Sequence, residues 1–128
     1  MNLEKVVFGF FVVLAATLNF GFFIGDIGDP RLHNIYELFA AVVVNLIATV
    51  LKFGDRTQIG AVQLATSLVA SLQLIAAAVV YAYATNVADG PMSAAMTASV
   101  VSLSGGALVA NIVSVVILVI ETVSFRRR

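Results

Sequence analysis

Cysteine and tryptophan are absent from this chain of 128 residues; histidine occurs once, proline twice, and charged residues make up only 11%. Without cysteine there is no disulfide framework, no thiolate metal site and no thiol nucleophile. Without tryptophan, an interfacial aromatic belt has to rest on Tyr36, Tyr81, Tyr83 and the phenylalanines. A lone histidine rules out a haem held by two histidines of one copy. Seven basic residues balance seven acidic ones, so a basic nucleic-acid face is not the main feature and no nucleic acid is expected as a partner. The scarcity of charge matters most. A soluble domain is about half apolar and about a quarter charged, whereas this chain is 61% hydrophobic. It cannot cover its surface with polar groups in water, so the bilayer acts as part of its solvent.

What is present is four long apolar runs, at about residues 6–24, 34–52, 59–84 and 92–124. A span needs roughly 20 apolar residues to cross a hydrocarbon core of about 30 Å. The first run follows Lys5 as a signal peptide would, but it lacks a small-x-small cleavage site and carries Phe20, Phe22 and Phe23 at its end, so it reads as a retained span. The breaks are Gly25-Asp26-Ile27-Gly28-Asp29-Pro30, Phe53-Gly54-Asp55-Arg56-Thr57-Gln58 and Asn86-Val87-Ala88-Asp89-Gly90-Pro91. The fold expected is an all-α integral membrane four-helix bundle forming one transmembrane domain. The last run is longer than a simple span, so its helix is either long or interrupted near Gly105-Gly106.

In that last run a small residue recurs every fourth position: Ala94, Ala98, Ser102, Gly106, Ala110 and Ser114. Residues four apart lie near one face of a helix, and small side chains let helices approach closely in lipid. This stripe is expected to be the packing seam of the bundle. On span two, Asn34, Glu37, Ala41, Asn45, Ala48 and Lys52 form a stripe. On span three, Thr66, Ala70, Gln73 and Ala77 share a face, with Gln63 and Ser67 beside it.

One set of ends and loops carries Lys5, Lys52, Arg56, Arg126, Arg127 and Arg128; the other carries Arg31 beside Asp26, Asp29, Glu37 and Asp89. The positive-inside rule then puts both termini in the cytoplasm. It also makes the opposite face acidic: Asp26, Asp29, Glu37 and Asp89 form a candidate rim that raises the local cation concentration. The Gly-Asp-Ile-Gly-Asp-Pro stretch does not match a calcium loop, and a solvated turn is its simpler role. His33 and Glu37, one turn apart, make too few ligands for zinc; an interfacial hydrogen-bonded pair is the simpler reading.

Asn19, Asn45, Gln73 and Asn111 lie inside spans, far from the charged ends. Amides facing lipid are costly, so these face other helices or a wet path. Glu121, the deepest carboxylate, is placed to pair with Lys5, Lys52 or Arg126. No ionisable residue sits at a span midpoint, which argues against a proton-coupled pump. No Gly-x-Ser-x-Gly elbow, phosphate loop or paired buried carboxylates occur, so no enzyme, metal or cofactor is expected.

The stretch Ile47-Ala48-Thr49-Val50-Leu51-Lys52-Phe53-Gly54-Asp55-Arg56-Thr57-Gln58-Ile59-Gly60-Ala61-Val62, continuing through Ser67-Leu68-Val69-Ala70 to Leu72-Gln73-Leu74-Ile75, resembles a family of small, uncharacterised four-span bacterial inner-membrane proteins. Residues 1–23 and 100–107 fit the same family. The resemblance implies a bacterial inner-membrane setting and brings no established activity. With the polar groups above, the expectation is a homo-oligomeric pore component for a small ion, cations favoured. The alternative is an accessory subunit gripping a larger transporter or channel. Membrane lipids and further copies of the chain are the expected partners.

Overall fold

The computed structural model describes residues 3–24, 33–86 and 92–126, which form four α-helices: α1 (Leu3–Phe23), α2 (Ile35–Lys52), α3 (Gln58–Asn86) and α4 (Ala94–Arg126). Among the described residues there is no strand. Local chemistry starts three of the helices. Asn34 is extended (φ −78°, ψ 115°) and its Oδ1 accepts from Tyr36 N at 2.9 Å, capping α2. Thr57 Oγ1 accepts from Gly60 N at 2.9 Å to cap α3, and Ser93 Oγ accepts from Met96 N at 3.1 Å to cap α4.

The helices alternate in direction. Lys5 pairs with Glu121, Gly9 faces Leu118 and the Phe23 ring faces Gly105, so α1 and α4 run antiparallel. Phe8 lies under Lys52 and Gly21 lies against Glu37, which sets α2 antiparallel to α1. Thr66 meets Ser114 and Gln73 meets Gly106 across α3 and α4. Each helix packs on its chain neighbours, α4 closes back onto α1, and the α3–α4 seam is the most extensive. With 21, 18, 29 and 33 residues, the helices measure about 32, 27, 44 and 50 Å at about 1.5 Å per residue. All four are long and apolar enough to cross a membrane. The chain is a multi-pass membrane protein.

Large apolar side chains point outward and small or polar ones inward. Phe10, Phe20, Phe39, Val50, Leu72 and Val109 are exposed, as a lipid-facing surface requires. The interior is built largely of Ala15, Ala41, Ala48, Ala70, Ala77 and Ala107, with hydroxyls and amides among them. Bulky groups are buried toward the two ends. Phe22, Leu38, Leu74, Val100 and Val101 fill one, and Phe8 with Val12 and Ala48 fills the other.

One open alternative is decided here and one expectation changes. First, α4 is continuous through Gly105 and Gly106; the interrupted alternative does not occur, because the bare backbone there is occupied by neighbours. The Phe23 ring covers Gly105 and the Gln73 carboxamide covers Gly106. Second, the four-residue stripe is not the packing face. Ala110 and Ser114 are buried and Ala98 and Gly106 partly so, but Ala94 and Ser102 lie on the outside. Four residues at about 100° each overshoot a full turn by about 40°, so a strict four-residue stripe winds around the helix. The buried residues instead recur about once per turn: Thr97, Val100 with Val101, Ser104, Ala107, Ala110 with Asn111, and Ser114.

An ideal Cβ on Gly105 would stand 2.7 Å from Phe23 Cε2, whereas one on Gly54 meets nothing within 4 Å. Gly105→Leu should therefore lower the unfolding midpoint in nanodiscs by the equivalent of about 1–3 kcal/mol, and Gly54→Ala should leave it unchanged. Equal midpoints for the two variants would contradict the close α1–α4 approach.

Candidate functional site

Helices in hydrocarbon gain by bonding their polar side chains to one another, and this bundle has one polar clasp on each seam. Asn19 of α1 is fully buried. In the orientation that satisfies both ends of its carboxamide, Nδ2 donates to Ser104 O at 2.9 Å, while Oδ1 accepts from Leu108 N at 3.0 Å and from Asn111 Nδ2 at 3.2 Å. Ser104 O and Leu108 N are one helical step apart, so the side chain docks on α4 as a peptide group would, beside the two glycines. Thr49 Oγ1 donates to Asn45 O at 2.8 Å and lies 3.1 Å from Ser71 Oγ, joining α2 to α3. The Thr66 and Ser114 hydroxyls bond to each other, joining α3 to α4. Between the C-terminal end of α1 and the start of α2, buried His33 puts Nδ1 2.6 Å from Phe22 O. A carbonyl only accepts, so Nδ1 carries the proton there.

Of the four sequence-predicted amides, Asn19 and Asn111 meet. Asn45 is buried but donates to Ala41 O of its own helix at 2.9 Å, and Gln73 sits apart, against Gly106. The inner face of α3 is Gly60, Gln63, Ser67, Ala70, Ser71, Leu74 and Ala77. Gln63 and Ser67 are therefore central on that face, and Gln73 is only partly buried. Thr49, Ser71 and Ser104 were not singled out by sequence reasoning; Thr49 and Ser71 each lie four places from a polar residue of an expected inner face, Asn45 and Ser67, while Ser104 carried no such spacing. Of the acidic rim, Asp26, Asp29 and Asp89 lie outside the described residues. Glu37 is partly buried, with its carboxylate against Gly21.

The other end of the bundle carries the charges. Glu121 pairs with Lys5 of α1. Lys52 is buried: Nζ donates to Asp55 Oδ2 at 3.2 Å and stands 4.2 Å from the centroid of the Phe8 ring, a cation–π contact. Asp55 Oδ1 also accepts from Thr57 Oγ1 at 2.7 Å and Thr57 N at 3.0 Å. These bonds, the Thr57 hydroxyl first and Lys52 adding less, hold the Asp55 carboxyl below its ordinary 3.8, at about 2, against the opposing effect of partial burial. An open cleft of about 340 Å³ lies here, lined among others by Glu4, Lys5, Lys52, Asp55 and Arg56. Among the described residues no three His, Cys, Asp or Glu gather as a metal site would need.

The model of a family of unknown function (DUF6394) matches residues 32–122. No curated protein and no solved structure matches the chain.

A carboxyl with a lowered folded pKa adds stability above its unfolded pKa and loses it as pH falls. The α2–α3 turn should therefore loosen as pH drops from 3.8 toward about 2. Thr57→Val removes the largest contribution, so the Asp55 titration midpoint, followed by carboxyl NMR in detergent, should move up toward the ordinary value. An unmoved midpoint would assign the depression elsewhere.

Proposed function

The chain belongs to the DUF6394 family, a family of unknown function, and from that premise we propose that it is a homo-oligomeric pore component of a bacterial inner membrane, passing a small ion and favouring cations. The observation that carries this reading is the inversion of polarity across the bundle: Asn19, Asn45, Gln63, Ser67, Asn111 and Ser114 are buried between the helices while the outer surface is apolar. Uncharged hydroxyls and carboxamides at membrane depth offer an ion partial charges without trapping it. The acidic residues Asp26, Asp29, Glu37 and Asp89 would draw cations to one mouth. The apolar groove between α1 and α4, lined among others by Val13, Ala16, Phe20, Leu108 and Ile112, gives a second copy or a lipid chain a place to lie. The collection of Lys5, Lys52 and Arg56 at one end of the bundle supports both termini being cytoplasmic.

A second reading, an accessory subunit without a path of its own, draws on the clasps. Asn19 and Asn111 are engaged with each other and with α4 backbone, which serves helix packing alone.

Purified protein in liposomes should run as a multimer by native mass measurement and should pass monovalent cations. The double variant Asn45→Leu, Gln73→Leu should cut that flux at least tenfold, roughly the effect of losing 1.4 kcal/mol of stabilisation along the path. No flux from the native protein, together with a stoichiometric partner recovered from membranes, would replace the pore with the accessory role. Cysteines placed singly at Asp55 and Asp89 should label from opposite sides, Asp55 from the cytoplasm; labelling from one side would overturn the orientation.

A further inference from the structure

Gln63 is fully buried on the inner face of α3, and among the described residues neither its Nε2 nor its Oε1 has a hydrogen-bond partner. A carboxamide brings two donor hydrogens and an acceptor oxygen, and leaving both ends unbonded inside a membrane is costly. Thr66, Ser114, Asn45, Thr49 and Ser71 are bonded to other groups. Thr66 Oγ1 donates to the Gln63 backbone carbonyl at 3.0 Å and meets Ser114. Asn45 is bonded to Ala41, and Thr49 to Asn45 and Ser71. Along α3 the inner face beyond Gln63 stays small through Ser67, Ala70 and Ser71, and is then filled by Leu74 packed with Leu38 and Phe22.

We infer that Gln63 anchors a water-binding site inside the bundle. The chemistry selects the ligand. A cation would satisfy Oε1 and leave Nε2 unbonded; an anion would do the reverse. A small neutral molecule that both donates and accepts satisfies both atoms, and water is the one that reaches every membrane protein. Buried water commonly serves polar groups that lack a protein partner. Lys52 with Asp55 and Lys5 with Glu121 are paired near the bundle end. The site does not depend on the proposed passage of ions, since the carboxamide needs a partner even in a bundle that conducts nothing.

Water-edited solid-state NMR on the full chain in lipid bilayers tests this. The Gln63 side-chain NH2 signal, assigned by through-bond connection to its own backbone, should gain magnetisation from water several-fold faster than the Asn45 NH2, which is bonded to protein. Gln63→Leu should remove that signal and leave the water transfer to other buried hydroxyls reduced. Transfer to Gln63 no faster than to Asn45 would overturn the site, whichever way the leucine variant folds. Absence of flux in liposomes would not alter this readout, so the two ideas fail separately.

Discussion

Hydrocarbon offers a buried amide nothing to bond to, and the architecture follows from that. Between apolar helices in lipid there is little hydrophobic drive, because a leucine against a lipid tail is as well solvated as a leucine against another helix. What holds helices in register is close backbone approach and the few polar groups that have to meet. Here Asn19 on α4, Thr49 with Ser71, Thr66 with Ser114 and His33 on the Phe22 carbonyl supply one such contact per seam. Each is modest, about 0.6 kcal/mol on average in comparable helices. Their placement on different seams is what lets them define a single arrangement.

Close approach and polarity depend on each other at the α1–α4 crossing. Gly105 and Gly106 expose α4 backbone, Phe23 and Gln73 lie directly on it, and only because of that proximity can the short Asn19 side chain reach Ser104 O and Leu108 N. Glycine inside a helix normally costs about 1 kcal/mol relative to alanine. That cost is offset by contacts on both sides, and the helix runs straight through.

The four helices were legible in the sequence because their signals are local: runs long enough to span, separated by breaks rich in glycine, proline, asparagine and aspartate. Helix faces were harder to read, for a physical reason. In water, burial separates apolar from polar; in lipid both faces are apolar. Phe8, Phe22 and Leu38 are buried while Phe10, Phe20 and Phe39 are exposed, a division that residue type alone does not make. The stripe from Ala94 to Ser114 had the right residue types but the wrong period. Of the amides, Asn19, Asn45 and Asn111 were identified as inward, while Gln63 was judged peripheral to Gln73. A rotation of α3 by part of a turn, invisible in composition, exchanges those roles. The acidic face, apart from Glu37, belongs to residues outside those described.

The Asn19 clasp also says something about biosynthesis. Its partners Ser104, Leu108 and Asn111 belong to α4, so they leave the ribosome after α1, α2 and α3. The first helix enters the membrane carrying an amide whose acceptor does not yet exist, while the Thr66–Ser114 contact forms within the α3–α4 hairpin soon after its synthesis. Closure of α4 onto α1 thus has to wait for α4 to be made, and the α1–α4 seam forms after the seams between chain neighbours can.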